Sequence, residues 1–442
     1  MPRHWTKNDP QLRYLMIKKI IGTLTTRVLI AGITLLVVLL NARVLGAERT
    51  GLITQLILAV TIIQLFAGIP GGGSLVYLVP RNSVRALLVP SYIWGVVVSF
   101  SGTYILSLFE ATRAENLMVH VLFLSLLLTF STINLMVLMG KEQIRIYNII
   151  TFLQAIILLS VLGGLFFIIG NRETISYIIA LYCSYGGSFL ISLLMILPYL
   201  GKAAKKNENQ GVLDKLFRYG GTMQAGNILQ FLNYRLSYFF VKFFLGQASL
   251  GIYSVGNQLA ESLWILGKSI SMVQYSRISN QDDHVYAARL TLTFVKITFV
   301  LTFLAMIVLW VLIFLLFPFI LKPEFAPVKY LMLILGPGIL TFSVNVVLSP
   351  YFSGSGKPRY NTITASVGLA FTLITGLILI PRFGLAGAAM SATISYSCAT
   401  LYQFLVFIRI SGIHAKDFLL RGAEFRSVYR FFVTLPEKNI SQ

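Results

Sequence analysis

The chain has 442 residues, of which 56% are hydrophobic and 12% are charged, and its mean hydropathy is +0.79. Because a soluble globular domain has about 45–50% apolar and about 25% charged residues, this composition excludes a soluble protein and indicates a polytopic membrane protein. The formal net charge of +21 would suggest a nucleic-acid partner for a soluble protein, but here the excess lies in the loops of one side, so no nucleic-acid partner is expected.

Twelve apolar runs are long enough to cross a hydrocarbon core of about 30 Å. They lie at residues 20–41, 52–78, 87–109, 117–139, 147–169, 174–199, 219–245, 251–275, 290–317, 328–352, 361–381 and 384–408. The sequence therefore predicts an all-α polytopic membrane protein with twelve transmembrane helices.

The loops between these runs differ sharply in basic residues. With the N-terminus inside, the inward segments carry 24 lysines and arginines and the outward segments carry 6. Because basic residues are retained on the cytoplasmic side of a membrane, this bias predicts that both termini are cytoplasmic.

Two short motifs recur in the two halves of the chain. LGAERTG at residues 45–51 matches LGQASLG at 245–251, an offset of 200, and YNIIT at 147–151 matches YNTIT at 360–364, an offset of 213. These matches predict two pseudo-symmetric six-helix lobes, related as parallel repeats, around a central cavity. The predicted divisions are an N-terminal lobe at 1–200, a cytoplasmic linker at 201–216, a C-terminal lobe at 217–410 and a cytoplasmic tail at 411–442.

Polar and charged side chains interrupt spans seven and eight. Helical spacing places one set on a single face of span seven: Gln224, Asn227, Arg235, Tyr238 and Lys242. A second set is expected on one face of span eight: Asn257, Gln258, Glu261 and Lys268. Charges at membrane depth are costly and usually face a bundle interior or a watered cavity, which favours the wall of a transport pathway. The alternative is that the basic side chains snorkel to the interface and the amides join helices.

Cations outnumber acids within the predicted spans. Glu261 is the single acid, against five bases: Arg27, Arg235, Lys242, Lys268 and Lys296. A cavity lined in this way favours an anion, and the planar fork of arginine suits phosphate. The accompanying amides and tyrosines suit a hydroxyl-rich substrate, although hydrogen bonding between helices explains many of them equally well.

Helix breakers lie at three places in the spans. Residues 68–73 (GIPGGG) interrupt span two, the dipeptide at 337–338 (PG) lies within span ten, and Pro318, Pro323 and Pro327 bound the outer turn between spans nine and ten. Breaks at membrane depth are tolerated where protein or a cavity covers the freed backbone groups. Flexibility during a conformational cycle and close helix packing both remain possible explanations.

The tail carries aromatic residues at helical spacing: Phe418, Phe425, Tyr429 and Phe432. With Arg421, Arg426 and Arg430 elsewhere on the wheel, they predict an amphipathic helix on the inner leaflet, attracted to anionic lipid.

Catalytic and metal-binding patterns are not found in the sequence. The adjacent pair Asp282 and Asp283 points its side chains apart, the two cysteines lie in opposite halves, and the four histidines lack ligand spacing. The protein is therefore expected not to be an enzyme and to use no metal or cofactor.

Motifs around spans one, two, seven and eight are similar to those of a known superfamily. They are Asn233-Tyr234-Arg235, Phe244-Leu245-Gly246, Gly251-Ile252-Tyr253-Ser254-Val255, Arg277-Ile278-Ser279, Leu45-Gly46-Ala47-Glu48, Gly51-Leu52 and Leu78-Val79-Pro80-Arg81. The chain resembles the multidrug/oligosaccharidyl-lipid/polysaccharide (MOP) flippase superfamily, and within it the polysaccharide biosynthesis proteins of the Wzx type, the O-antigen flippases.

This resemblance implies movement of undecaprenyl-pyrophosphate-linked oligosaccharide from the cytoplasmic to the periplasmic leaflet of the bacterial inner membrane. It also implies surface polysaccharide synthesis, together with a polymerase and chain-length machinery. The cationic role falls first to Arg27 and Arg235, then to Lys242 and Lys268, with four polar companions: Gln224, Asn227, Tyr238 and Asn257.

Two related classes remain to be compared. Peptidoglycan-precursor flippases usually have additional spans. Multidrug extruders typically carry an acid in span one, where this chain has only Arg27. Glu261 is the sole carboxylate within the spans that could bind a coupling ion, so a cation-coupled multidrug exporter is the alternative.

Overall fold

The computed structural model describes residues 10–108, 117–200, 211–279 and 283–418, and the regular structure in these ranges is helical. The α-helices are α1 Pro10–Leu45, α2 Ala47–Gly71, α3 Gly73–Leu78, α4 Val84–Ser107, α5 Leu117–Gly140, α6 Ile144–Phe167, α7 Thr174–Leu200, α8 Val212–Glu261, α9 Trp264–Ser279, α10 His284–Ile320, α11 Pro327–Gly354 and α12 Arg359–Ser411. Single 3₁₀ turns lie at Pro323–Phe325 and Ala415–Phe418.

Ten helical segments in these ranges are long and apolar enough to cross a membrane. Two of them have 50 and 53 residues, about twice the length that one crossing needs. Each is broken by a glycine with non-helical dihedral angles, Gly246 in α8 and Gly384 in α12. Dividing α12 at Gly384, and α8 at Gly246 where the shorter second arm is followed by α9, gives twelve candidate crossings in the described residues. This is the predicted number, so the chain is a multi-pass membrane protein.

The turns that the charge bias predicts to lie on the outer side, here called the outer turns, are tighter than the sequence suggested. The turn expected over residues 245–251 reduces to Gly246, with φ 84° and ψ −173°, and helix resumes directly after it. Gly46, 200 residues earlier, has φ 89° and ψ 179° between α1 and α2. A positive φ strains residues with a Cβ, so glycine permits a reversal within one residue at both places.

The first compact unit comprises Met1–Gln258 and Phe317–Val328. Here α7 packs on α5 and α6, α1 packs on α6, and α2 packs on α4 and α5. Two apolar clusters form its core, one around Ile63, Leu124 and Leu162 and the other around Leu87 and Leu138.

The second compact unit comprises Leu259–Leu316 and Lys329–Gln442. Its apolar core includes Val295, Val347, Phe352 and Phe407. Both units are bounded at residue 258 rather than in the predicted linker at 201–216, and the division into two six-helix lobes stays a prediction.

The predicted amphipathic tail falls mostly outside the described residues, including Phe425, Tyr429 and Phe432. Within them, the ring of Phe418 packs against Phe404 and Phe407 of α12, with centroid separations of 4.7 and 6.1 Å.

Candidate functional site

The predicted polar stripe lies on the part of α8 that precedes Gly246. At 100° per residue, its five members fall within one quarter of the helix circumference. Tyr238 and Gln224 are 2% and 8% exposed, Arg235 and Lys242 are half-buried, and Asn227 is exposed. The stripe is therefore a polar strip, interrupted by Phe231 on the same face, that is partly covered by protein.

Arg235, Tyr238 and Asn257 form the centre of the candidate site. The Tyr238 hydroxyl accepts a hydrogen bond from Arg235 Nη1 at 3.3 Å and another from Asn257 Nδ2 at 3.1 Å. The Arg235 guanidinium carbon lies 4.9 Å from the centroid of the Tyr238 ring, within the range of a cation–π contact. One buried tyrosine thus orients a cation and an amide from the two sides of the Gly246 break.

The support for Tyr238 comes from the same helix pair. The Tyr253 ring meets it edge-on with centroids 5.3 Å apart, and the Tyr253 hydroxyl donates to Ser237 Oγ at 3.1 Å. Tyr253 has no exposed surface. The orientation of Tyr238, and with it that of Arg235, is therefore fixed by packing.

Lys242 lies closer to the outer turn. Its ammonium donates to Gln247 Oε1 across the Gly246 reversal. Because the bond joins the two arms of α8, Lys242 stabilises the turn as well as extending the stripe.

Gln224 lies at the other end of the stripe, against the broken part of α2. Asn227 Nδ2 donates to Gln224 Oε1 at 3.0 Å. A methyl group built on Gly68 would approach Gln224 Nε2 to 3.1 Å. The predicted GIPGGG break is confirmed at Gly72, between α2 and α3, and the stripe reaches it.

The backbone groups freed by this break have protein partners. Pro70 has no N–H to donate to the carbonyl of Phe66, and Trp94 Nε1 donates to that oxygen at 3.0 Å instead. Ser74 and Ser91 donate to the Pro70 carbonyl at 3.1 and 3.2 Å. These bonds explain how a proline inside a membrane helix is tolerated here.

The predicted second stripe is divided between two helices. α8 ends at Glu261 and α9 begins at Trp264, so Asn257 and Lys268 lie on different helices. The intervening turn has i→i−3 bonds, including Leu263 N to Ala260 O at 3.3 Å. This change of winding shifts the register of every later side chain.

The remaining members of that set have separate surroundings. Glu261 Oε1 accepts a hydrogen bond from the Tyr396 hydroxyl at 3.4 Å. Lys268 is exposed, and its ammonium lies 5.9 Å from the Trp264 ring centroid. The structure therefore places Glu261 beside a tyrosine of α12.

Arg27, the other arginine singled out by the sequence, has an exposed side chain on α1. Its role stays a prediction. In the described part of the chain, no group of three or more His, Cys, Asp or Glu residues is placed to hold a metal ion.

A helix crossing at the outer turns was missed by the sequence analysis. Thr54 Oγ1 donates to Ser254 Oγ at 2.9 Å, and these residues are 200 positions apart. A Cβ on Gly51 would overlap the carbonyl oxygen of Gln247, and one on Gly251 would overlap that of Ala47. Each contact is the repeat-related copy of the other, which supports the internal duplication.

A second contact holds the same turn. Glu324 Oε1 accepts from Ala47 N at 3.0 Å, at the start of α2, and Lys322 Nζ donates to Val44 O at 3.1 Å, at the end of α1. An anion at a helix N-terminus and a cation at a C-terminus are both favourable. The 3₁₀ turn that follows α10 thus holds the α1–α2 reversal in place, and we call Lys322 and Glu324 the outer clamp.

Solved structures with the same fold are membrane transporters. The lipid II flippase MurJ in an inward closed conformation superposes with a TM-score of 0.69 and 16% identity, covering 94% of this chain and 92% of that one. A multidrug resistance MATE family transporter of the MOP superfamily gives 0.66 and 13%, covering 86% and 94%. A MOP superfamily transporter from Pyrococcus furiosus gives 0.55 and 13%, covering 89% and 96%. The chain thus has the fold of these transporters.

Sequence comparison identifies the family. The model of the family described as "Polysaccharide biosynthesis protein" matches residues 40–329. The chain belongs to this family, and the predicted resemblance is confirmed at the level of family and fold. The uncharacterized membrane protein MJ1068 of Methanocaldococcus jannaschii is 28% identical over 82 residues, which span 19% of this chain and 16% of that protein.

Proposed function

We propose that this protein moves a lipid-linked oligosaccharide, carried on undecaprenyl pyrophosphate, from the cytoplasmic to the periplasmic leaflet. Two observations support a transporter of this class: the family match, and a fold shared with a lipid II flippase. The observation that carries the substrate assignment is Arg235, oriented by Tyr238 inside an apolar helix pair. A guanidinium held in this way suits the pyrophosphate oxygens.

The proposed site residues divide the headgroup between them. Cationic residues bind the phosphates, first Arg27 and Arg235 and then Lys242 and Lys268. The hydroxyl-rich sugars meet the amide and phenol groups of the polar companions: Gln224, Asn227, Tyr238 and Asn257.

Transport proceeds by alternating access between the two predicted six-helix lobes. The crossing at Gly51 and Gly251 closes the outer side while the substrate enters from the cytoplasm. Opening to the outside requires this crossing and the outer clamp of Lys322 and Glu324 to separate.

In a cell, the protein lies in the bacterial inner membrane with both termini cytoplasmic. It acts without catalysis, beside a polymerase and chain-length machinery that extend the delivered units into O-antigen, capsule or exopolysaccharide. Glycosyltransferase genes beside its own gene would support this placement, whereas a drug-responsive regulator there would oppose it.

The substrate assignment is tested by binding in detergent solution. A short-chain polyprenyl-pyrophosphate oligosaccharide should raise the thermal unfolding midpoint of the protein, and the same oligosaccharide on an uncharged polyprenol should not. Arg235→Gln should abolish the difference between the two compounds. Equal stabilisation by both compounds would remove the basis for a pyrophosphate site.

A cation-coupled multidrug exporter is the second candidate. It is favoured by the fold shared with MATE transporters and by Glu261, which lies beside Tyr396 within the spans. Drug resistance that is lost in Glu261→Gln while surface polysaccharide is unchanged would favour this function. Loss of polysaccharide in Arg235→Ala without any change in drug resistance would exclude it.

A further inference from the structure

The part of α8 that precedes Gly246 has two exposed faces of different polarity. Phe239 and Phe243 are 37% and 80% exposed. Gln230 is also exposed, and at 100° per residue it lies about 180° from Phe239 and about 140° from Phe243 around the helix. Because an amide is costly in hydrocarbon, the face of Gln230 is expected to meet water and the face of the two phenylalanines to meet lipid.

The polar face carries a row of side chains within about 80° of one another, which we call the polar row: Tyr219, Met223, Asn227, Gln230 and Tyr234. Gln230 Nε2 donates to the Tyr234 hydroxyl at 2.7 Å. The row shares Asn227 with the predicted stripe and extends about 22 Å along the helix. Amide and phenol groups both donate and accept hydrogen bonds, as sugar hydroxyls do.

A pair of tyrosine rings lies at the first end of the polar row. Tyr77 of α3 and Tyr219 have ring centroids 5.0 Å apart, with their planes inclined by 40°. They are 44% and 47% exposed, so both rings present surface while packing on each other. The charge bias of the loops predicts that this end of α8 is cytoplasmic.

Arg81 orients the first of these rings. Its guanidinium carbon lies 4.1 Å from the centroid of the Tyr77 ring, and its Nη1 donates to the Tyr77 carbonyl at 2.6 Å. A guanidinium has five N–H donors in a planar fork, and the Arg81 side chain is exposed. Arg81 can therefore hold Tyr77 in place and still donate to a ligand.

Glycines allow the close helix approach that brings the two rings together. A Cβ on Gly220 would overlap the carbonyl oxygen of Ile69, and one on Gly73 would lie 2.8 Å from Met223 Cε. Gly220 directly follows Tyr219, and Gly73 begins the short helix that carries Tyr77. The break between α2 and α3 therefore sets the position of the aromatic pair against α8.

We propose that Tyr77, Tyr219 and Arg81 capture a sugar ring of the lipid-linked oligosaccharide at the cytoplasmic end of its pathway. This inference rests on the proposed function and assigns the carbohydrate part of the substrate. The apolar C–H face of a pyranose packs on the exposed aromatic surface, and its hydroxyls bond Arg81. Arg235 lies about 24 Å further along α8 than Tyr219, and an oligosaccharide extended along the polar row connects the two.

The test compares the affinities of the full-length protein for two ligands in detergent solution. One is a short-chain polyprenyl-pyrophosphate oligosaccharide, and the other is the same polyprenyl pyrophosphate without sugars. Tyr219→Leu should lower the affinity for the oligosaccharide form by about tenfold, equivalent to ~1.4 kcal/mol, and should leave the affinity for the bare pyrophosphate unchanged. Tyr219→Phe keeps the ring and should recover most of the lost affinity. Tyr275→Leu is the matched control, since Tyr275 of α9 is 48% exposed, and it should bind both ligands as the parent does.

A second variant, Tyr77→Leu, guards against misfolding of Tyr219→Leu and should give the same selective loss. Parental affinity for the oligosaccharide form in both variants, or an equal loss for both ligands, would overturn the capture site. Equal binding of the two ligands by the parent protein would overturn it and leave the pyrophosphate assignment to Arg235 intact. Binding of neither ligand by the parent would overturn the proposed function and the capture site together.

Discussion

Alanine at Gly51 or Gly251 should open the outer helix crossing. A Cβ on Gly51 would lie 3.0 Å from the Gln247 carbonyl carbon and 3.2 Å from Gly251 N; one on Gly251 would lie 2.9 Å from both the Ala47 carbonyl carbon and Gly51 N. These distances are below the ~3.5–4.0 Å of an unstrained contact, and the opposing atoms are backbone that no rotamer change can move.

The expected magnitude follows from the cost of overpacking, about 1–3 kcal/mol. Because the clash exists only while the crossing is closed, this energy shifts the equilibrium towards the outward-open state by about 5- to 150-fold. Both glycines act on the same crossing, so the double variant should shift the population by less than the sum of the single effects.

Spin labels on Glu48→Cys and Ala248→Cys report this equilibrium. Both positions are exposed, and they directly follow Ala47 and Gln247, the two repeat-related residues of the crossing. In a background with Cys183→Ser and Cys398→Ser, the electron–electron distance distribution should move to longer values in each alanine variant. Gly186→Ala is the control, since its Cβ would meet nothing within 4 Å. Parental distributions in both well-folded alanine variants would refute the reasoning.

Three further predictions concern single side chains. Trp94→Phe leaves the Phe66 carbonyl without its indole donor and should cost about 1–3 kcal/mol of stability, seen as a lower thermal unfolding midpoint; an unchanged midpoint would show that the bond is dispensable. Glu324→Gln keeps an acceptor for Ala47 N but removes the charge, so it should weaken the outer clamp by about 0.3–1 kcal/mol. The outward-open population of the variant should be slightly higher than that of the parent, and this difference should disappear at high salt, which screens the charge in the parent. Arg235→Lys keeps the charge but loses the planar fork, so the affinity for a pyrophosphate-linked oligosaccharide should fall less than in Arg235→Ala. Equal losses of affinity in both variants would show that the positive charge contributes nothing without the planar fork.

Much of the fold was predictable because membrane helices leave a local signal. Twelve apolar runs gave the twelve crossings, and glycine and proline marked the break between α2 and α3. The α8 stripe was predictable for the same reason, since helical periodicity alone places Gln224 and Lys242 on one face.

The features that the sequence did not predict lie where no local signal exists. The turn between α8 and α9 contains neither glycine nor proline, and it therefore concealed the change of register that separates Lys268 from Asn257. The hydrogen bond from Trp94 to Phe66 joins residues 28 positions apart, and the two bonds of the outer clamp join residues 277 and 278 positions apart. Helical periodicity does not predict contacts at such separations. The helix crossing at Thr54 and Ser254 did leave a signal in the sequence, namely the offset of 200 between the repeated motifs. Residues that lie on a symmetry axis contact their own repeat-related copies.

The most direct test of the account is the initial rate at which proteoliposomes translocate a polyprenyl-pyrophosphate oligosaccharide. Hydrogen bonds to charged groups are worth about 1.5–3 kcal/mol, so Arg27→Ala and Arg235→Ala should each slow translocation by about 10- to 150-fold. Lys329→Ala, at the edge of a span, should transport at the parental rate. Parental rates in well-folded Arg27→Ala and Arg235→Ala proteins would contradict a cationic pathway for the headgroup.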